Sequence, residues 1–186
     1  MSQTKKHKFN SSFQLLMSVH WWMAGCYLIL FVGGTTMARL PRNEFRGMLY
    51  DFHKSIAILA IALLVWRVVA LTQVILKKYM RRLPKLSNHW IRNFILHTLI
   101  YGFMWGVPIS GFFFSNSFRS NNVSFFGLGL PDFFPENKDM VEIGRSLHFW
   151  LAYTFLTLIA LHLIIQWKVA KANWRRFTGF IQAKLS

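Results

Sequence analysis

Four apolar segments, each long enough to cross a bilayer, restrict this chain to a narrow range of folds. Because a helix rises ~1.5 Å per residue, about 20 apolar residues cross the ~30 Å hydrocarbon core. Backbone groups inside that core must be hydrogen-bonded within the protein, which favours helices over irregular structure. The four segments are Phe13–Met37, Ile56–Ile75, Ile91–Phe114 and Ser146–Trp167. The sequence therefore predicts an all-α membrane protein, a bundle of four transmembrane helices.

The composition supports one membrane domain. Of the 186 residues, 54% are hydrophobic and only 15% are charged, which argues against a soluble domain of this length. The first segment is long and lacks a small-residue cleavage site, so we interpret it as a retained span rather than a signal peptide. We predict a transmembrane domain at 13–168, between a basic tail at 1–12 and a basic tail at 169–186, with no soluble domain.

The charge is distributed unevenly between the two ends of the predicted bundle. Segments 1–12, 77–92 and 168–184 would share one face, and they hold fourteen of the 22 basic residues and no acidic residue. All six acidic residues fall on the other face. This is the positive-inside pattern, which predicts that both termini are cytoplasmic. The net charge of +16 is therefore attributed to contact with anionic lipid and not to a nucleic-acid partner.

Four histidines sort into two pairs by depth. His53 and His148 begin their spans from the outer side, whereas His20 begins a span from the inner side and His162 ends one there. His148 and His162 are fourteen residues apart. In a helix this is a rise of ~21 Å and ~40° less than four full turns, so both face the same side. Each leaflet therefore has one predicted pair, and the fourth helix contributes to both.

Paired histidines across a four-helix bundle are typical of a haem iron bound from both axial sides. Zinc is a weaker alternative because a structural zinc site needs four ligands drawn together. A second alternative is that each histidine only hydrogen-bonds a neighbouring helix. For His97 three interpretations stay open: an axial ligand in place of His20 or His162, a donor to a haem propionate or quinone, or helix packing.

Three basic residues lie beside these histidines. Arg67 follows His53 by fourteen residues, so it lies on the same face in the inner half of the membrane. It is a candidate counter-charge for an inner haem propionate or a donor to a quinone carbonyl, and snorkelling is the alternative. Lys54 and Arg145, beside the outer histidines, are candidates to pair with outer propionates or attract a small anion. Ordinary flanking charge is the alternative for both.

The spans contain no carboxylate, and the sequence shows no nucleophile–base pairing and no Gly-rich phosphate loop after a strand. Any chemistry predicted here therefore belongs to a bound cofactor.

Four motifs in order resemble the bacterial cytochrome b561 family: SVHWWMAG, FHKSIAILAIALLVWR, LHTLIYGFMWGVPISG and SLHFWLAYTFLTLIALH. The resemblance covers nearly the whole chain and implies a four-helix cytochrome of the bacterial inner membrane with two b-type haems. By motif position, His20 and His162 match the ligands of the cytoplasmic-side haem. His53 and His148 match those of the periplasmic-side haem.

The resemblance also implies an oxidoreductase that passes electrons between a periplasmic donor and membrane quinone. Its best-understood members are similar to superoxide oxidases, which makes superoxide a candidate donor that Lys54, Arg145 and Arg46 would attract. The alternative is a haem b membrane-anchor subunit that relays electrons from a partner dehydrogenase or hydrogenase to quinone. In that case the aromatic loop at 115–144 is a candidate docking surface.

Overall fold

The computed structural model describes residues 2–79, 87–173 and 175, so residues 174 and 176–186 of the predicted C-terminal tail and residues 80–86 of the basic inner segment lie outside it. The described helices are α1 (Ser2–Arg39), α2 (Glu44–Tyr79), α3 (Asn88–Phe118) and α4 (Val141–Ile165). Each contains a stretch long and apolar enough to cross a membrane. The predicted all-α fold with four membrane spans is confirmed.

Two helices extend well beyond the apolar segments. The backbone of α1 is helical from Ser2, so the predicted tail at 1–12 continues this helix. The start of α2 is set by Asn43, whose side-chain oxygen accepts from the Arg46 N–H at 2.9 Å and whose carbonyl accepts from Gly47 at 3.2 Å. An asparagine at this position caps a helix by satisfying first-turn N–H groups. The helix therefore begins at Glu44, before the apolar segment that starts at Ile56.

The helices form two pairs, α1 with α2 and α3 with α4, and contact between α2 and α3 is much sparser. We call the end of the bundle where α1 and α3 begin the inner end, and the opposite end the outer end. Between the pairs lies a buried apolar cluster of Val19, Met23, Leu64, Met104 and Phe155, drawn from all four helices. In a bilayer such a cluster holds helices together chiefly by close packing, since lipid tails are equally apolar.

The outer segment between α3 and α4 is folded. Strands β1 (Ser124–Phe125) and β2 (Leu128–Gly129) pair antiparallel, and a 3₁₀ helix at Lys138–Met140 leads into α4. At the hairpin turn Phe126 and Gly127 have φ of 45° and 91°, the positive values that a tight two-residue turn requires.

This outer segment rests on two residues at the end of α3, Asn116 and Ser117, both of which are fully buried. The Asn116 amide donates to Asp132 and accepts from the Phe133 N–H, and the Ser117 carbonyl accepts from the Asn137 N–H at 3.1 Å. The aromatic loop at 115–144, named above as a candidate docking surface, thus contains a hairpin and a short 3₁₀ helix held on α3.

Candidate functional site

The structure brings together the two histidine pairs that the depth argument predicted. The rings of His20 and His162 have centroids 6.2 Å apart and cross at 72°. Those of His53 and His148 have centroids 6.4 Å apart and cross at 85°. Both pairs join the α1–α2 pair of helices to α4. They therefore lie at the sparsely packed boundary between the two halves of the bundle.

These separations fit one metal ion between the two rings of each pair. A metal–imidazole nitrogen bond is ~2.0 Å long and the ring centre lies ~1.1 Å farther, so two imidazoles on opposite sides of a metal have centres ~6.2 Å apart. In the described residues no three His, Cys, Asp or Glu side chains are arranged to hold one metal ion. Two ligands per site suit an iron whose other ligands come from a porphyrin.

A buried aromatic contact lies between the two levels. Phe155 is seven residues from both His148 and His162, and it is 5% exposed. Its ring meets the Tyr27 ring edge-on, with centroids 5.1 Å apart. The two histidine pairs are therefore separate sites with packed side chains between them, rather than one continuous polar cavity.

In the outer pair, α3 fixes the orientation of His148. The Nδ1 atom lies 3.0 Å from the Val107 carbonyl oxygen and 3.1 Å from Ser110 Oγ. Since a carbonyl oxygen can only accept, Nδ1 carries the proton and Nε2 has the lone pair that a metal needs. A carbonyl that accepts from the other ring nitrogen commonly orients a metal-binding histidine. Val107 and Ser110 thus orient the His148 ring and leave its Nε2 able to bind a metal.

Two glycines allow helices to approach the outer rings. A Cβ atom at Gly111 of α3 would lie 3.1 Å from His148 Cε1 and 3.3 Å from its Nδ1. A Cβ atom at Gly34 of α1 would lie 3.4 Å from His53 Cε1. The first distance is closer than ordinary van der Waals contact, so Gly111 is required for the observed position of His148. We call Val107, Ser110 and Gly111 the α3 seat.

The inner pair has a third histidine against it. The ring of His97 lies 5.1 Å from that of His162, centroid to centroid, at 89°. Its Nδ1–H donates to the Asn93 carbonyl at 2.6 Å. By contrast, the buried Nδ1 of His162 has no hydrogen-bond partner among the described residues. The structure therefore places His97 next to the inner pair but not in the facing position that His20 occupies.

Arg67 is part of the same inner cluster. Its Nε donates to the Tyr101 hydroxyl at 2.8 Å and its Nη1 to the Leu16 carbonyl at 3.0 Å. The guanidinium thereby connects α2 to α3 and α1, and its charge is close enough to act on both His20 and His162. Among the described residues it forms no ion pair with a carboxylate. A partly buried cation inside a membrane protein calls for an anionic partner.

The outer cations are engaged differently. Lys54 Nζ lies 2.9 Å from an Asp51 carboxylate oxygen and donates to the Asn122 carbonyl at 2.6 Å. Arg145 pairs with Glu142. Both acids stand three residues before the base, so each pair spans one helical turn. Lys54, one residue from His53, thereby ties α2 to the outer segment.

Of the three outer cations that the sequence indicated, Arg46 is the one whose described contacts include no carboxylate. It donates to the Leu40 carbonyl at 3.2 Å and lies over the Tyr50 ring, 5.5 Å from its centroid. The sequence had indicated Arg46, Lys54 and Arg145 alike, and only the structure separates them.

Sequence reasoning missed Tyr101, the α3 seat and Asn122. One signal in the sequence indicated that helices approach closely here. The run Val107–Gly111 has a proline, a serine and a glycine inside an apolar span. Tyr101 stands one helical turn after His97 and so shares its face of α3.

The four helices, the paired histidines and the cationic inner cluster agree with a comparison of the sequence with known families. The family described as prokaryotic cytochrome b561 matches residues 14–179, a range that covers part of α1, all of the other three helices and both histidine pairs. None of the curated proteins shows significant sequence similarity to the chain. The family consists of membrane proteins that bind haem b and transfer electrons, so this is a multi-pass bacterial membrane protein of that kind. The chain belongs to the prokaryotic cytochrome b561 family.

Proposed function

We propose that this protein transfers electrons between a donor at its outer end and membrane quinone, using two haem b groups. His53 and His148 would hold the outer haem, and His20 and His162 the inner one. The observation that carries the proposal is the separation of the two imidazole rings within each pair, 6.2 and 6.4 Å between ring centroids. Both pairs lie on the boundary between the two pairs of helices. A bound haem b supplies a one-electron iron couple.

The separations favour His20 over His97 as the inner partner of His162. The His20–His162 distance equals the ~6.2 Å expected for rings on opposite sides of one metal ion, whereas His97 and His162 are 5.1 Å apart. Because the Nδ1–H of His97 donates to the Asn93 carbonyl, its Nε2 is the nitrogen without a proton. On the ring separation we assign His97 a supporting role, either packing against His162 or accepting at Nε2 a hydrogen bond from the hydroxyl of a protonated propionate or of a reduced quinone.

Arg67 and Tyr101 would bind the anionic or carbonyl oxygen of a group at the inner site. The Tyr101 hydroxyl accepts from Arg67, which leaves its own proton to be donated to another acceptor. A guanidinium with a neighbouring hydroxyl suits a haem propionate, and it equally suits a quinone carbonyl. The absence of a carboxylate near Arg67 in the described residues supports an oxygen supplied by the ligand.

For orientation, we propose that the inner end faces the cytoplasm, in the bacterial inner membrane, with both termini on that side. The support is the concentration of basic residues at 1–12, 77–92 and 168–184. On this proposal the transmembrane domain is 13–168, and the tails at 1–12 and 169–186 meet the anionic inner leaflet.

The outer donor we propose is a small anion such as superoxide. Arg46 is the best-placed attractor, because Lys54 and Arg145 each have a carboxylate partner. Lys54 then acts mainly to fasten the outer segment beside His53. Purified protein that does not reduce quinone when supplied with superoxide would exclude this donor while leaving the haem sites intact.

A second candidate function is that of a membrane anchor subunit for a soluble dehydrogenase or hydrogenase. It is favoured by the hairpin tip, where Phe126 and Leu128 are 62% and 71% exposed. Phe126 holds a positive φ, a strained conformation that tends to mark functional surfaces. Co-purification of an iron–sulfur or nickel protein at one-to-one stoichiometry would favour this alternative.

The experiment that tests the proposal is haem quantification with reduced-minus-oxidised spectra on protein purified in mild detergent. We expect two b-type haems per chain, one in His20→Ala, one in His148→Ala, and two in His97→Ala as the matched control. The two single-haem variants should retain different spectral components. A single haem in the unaltered protein, or a haem lost in His97→Ala, would contradict the assignment.

A further inference from the structure

A groove of about 600 Å³ runs between α3 and α4 on the surface of the bundle, near its inner end. Its walls are almost wholly apolar, and most of the side chains are open to the membrane. For example, Ile95 is 52% exposed and Leu161 46%. The apolar walls are Ile91, Ile95 and Leu99 on α3 and Leu158, Leu161 and Ile165 on α4.

The groove has the length of one acyl chain. Its α3 wall begins at Asn88 and ends at Leu99. Eleven residues of helix rise ~16 Å, about half the ~30 Å hydrocarbon core. The wall residues Ile91, Ile95 and Leu99 follow one another at intervals of four, which makes a continuous stripe along one side of α3. A chain entering at the inner surface would therefore reach the middle of the bilayer.

The inner end of the groove is polar and positively charged. Asn88 and Arg92 line it there. Arg92 is exposed, and it has no carboxylate partner among the described residues. Trp90 stacks on Phe94 at the same end, with ring centroids 5.1 Å apart. Tryptophan at a helix end marks the level of the lipid headgroups, so Arg92 lies where a phosphate would be.

We propose that this groove binds one anionic phospholipid, with its phosphate against Arg92 and an acyl chain between α3 and α4. The charge at the mouth selects an anionic headgroup, and the apolar walls accept the chain. Leu96 and Leu161 of the groove directly precede His97 and His162. The lipid therefore packs behind the inner histidines, although the proposal depends on neither haem nor electron transfer.

Native mass spectrometry of delipidated protein tests the proposal. Titration with phosphatidylglycerol and with phosphatidylcholine of the same acyl chains should show one tight phosphatidylglycerol per chain. We expect a preference of about tenfold, the factor that corresponds to one charge-assisted contact of ~1.4 kcal/mol. Arg92→Gln should abolish this preference, and Leu161→Trp, which fills the groove, should weaken both lipids.

Matched controls separate this site from general attraction to the basic end. Lys168→Gln removes one positive charge from the same end of the bundle but outside the groove, and Leu163→Trp adds the same bulk to another face of α4. Both should bind phosphatidylglycerol like the unaltered protein, with helical circular dichroism confirming that every variant is folded. Equal losses in Arg92→Gln and Lys168→Gln would overturn the proposal. The proposal would also be overturned if Leu161→Trp displaced a quinone or a second copy of the chain from the groove and left lipid binding unchanged.

Discussion

The outer and inner histidine pairs have nearly the same separation but are built in different ways. At the outer pair, Val107 and Ser110 contact His148 Nδ1, and Gly111 lets the ring approach α3. At the inner pair, the corresponding Nδ1 of His162 lacks a hydrogen-bond partner in the described chain. Thus backbone and packing fix the orientation of His148, whereas no comparable seat fixes His162; in the outer pair the buried Nδ1 of His53 likewise has no hydrogen-bond partner among the described residues.

The surroundings differ in charge as well. The inner pair is within reach of the Arg67 guanidinium, which has no described carboxylate partner. Near the outer pair, Lys54 is neutralised by Asp51. A protein tunes a haem site through ligand orientation and through nearby charge, which are separate influences. If the proposed haem sites are right, we expect the orientation of His148 to matter most at the outer site and the charge of Arg67 to matter most at the inner site.

The largest expected effect comes from removing the outer seat. In Gly111→Ala the new Cβ atom would lie 3.1 Å from His148 Cε1, so the ring must move. Overpacking of this kind typically costs about 1–3 kcal/mol, and here the cost falls on a ligand. We expect Gly111→Ala to lose or greatly weaken the outer haem while keeping the inner one, as measured by haem content and low-temperature spectra.

Gly102→Ala is the matched control for that prediction. Gly102 belongs to the same helix, is exposed, and has nothing within 4 Å of an added Cβ atom. Its variant should retain both haems. If Gly111→Ala removes the inner haem instead, or both variants behave alike, then the α3 seat does not fix the outer ligand.

An intermediate effect is expected from Arg67→Gln. A unit charge ~10 Å away at an effective dielectric of ~20 contributes roughly 1.7 kcal/mol, about 70 mV for a one-electron couple. Removing the positive charge disfavours reduction, so the midpoint potential of the inner haem should fall by several tens of millivolts. Redox titration that resolves the two haems is the measurement.

Two further variants sharpen this result. Tyr101→Phe keeps the charge and removes one hydrogen bond of Arg67, so the inner potential should shift less than in Arg67→Gln. Arg46→Gln removes a charge from the outer end, and it should leave the inner potential unchanged. An inner potential that responds to Arg46→Gln as strongly as to Arg67→Gln would mean that charge acts globally and not at each site.

The spans and the pairing of histidines followed from the sequence because both depend on regular helices. Apolar length gives the number of spans, and the fixed rise and turn of a helix place His148 and His162 on one face at two levels. The ion pairs of Lys54 and Arg145 could also have been predicted from the sequence, because each acid lies three residues before its base. The sequence had instead indicated outer propionates or a small anion as partners of these two cations, with ordinary flanking charge as the alternative.

The rest depends on contacts between residues distant in sequence. His148 meets Val107 and Ser110 from another helix, and Arg67 meets Tyr101 across the boundary between helix pairs. The outer hairpin likewise depends on Asn116 and Asp132, a local arrangement that has no repeating pattern. Periodicity predicts which face of a helix is buried, but it does not predict which side chain meets which across the bundle.

The smallest expected effect concerns pH, and it should reach only the outer pair. Ser120 donates its backbone N–H, at 3.1 Å, and its hydroxyl, at 3.2 Å, to Glu136. The Ser120 N–H, and secondarily its hydroxyl, lower the pKa of the Glu136 carboxyl below its ordinary value. Such a group contributes stability that is fully present above its ordinary pKa and is lost as the pH falls through the lowered one. The outer segment should therefore loosen in acid, and through Lys54 and Asn122 this would reach the region of His53.

Hydrogen exchange in residues 119–137, corrected for the chemical rate at each pH, measures this loosening. Ser120→Ala removes the hydroxyl bond and keeps the N–H bond, so it should raise the pKa of Glu136 part of the way back and move the transition to higher pH. Exchange in the inner half of α3 is the internal control and should not change over the same pH range. If the transition occurs at the same pH in Ser120→Ala as in the unaltered protein, a group other than Glu136 controls it. A spectral change in the inner haem over that range would show that the two sites are coupled more tightly than their separate construction implies.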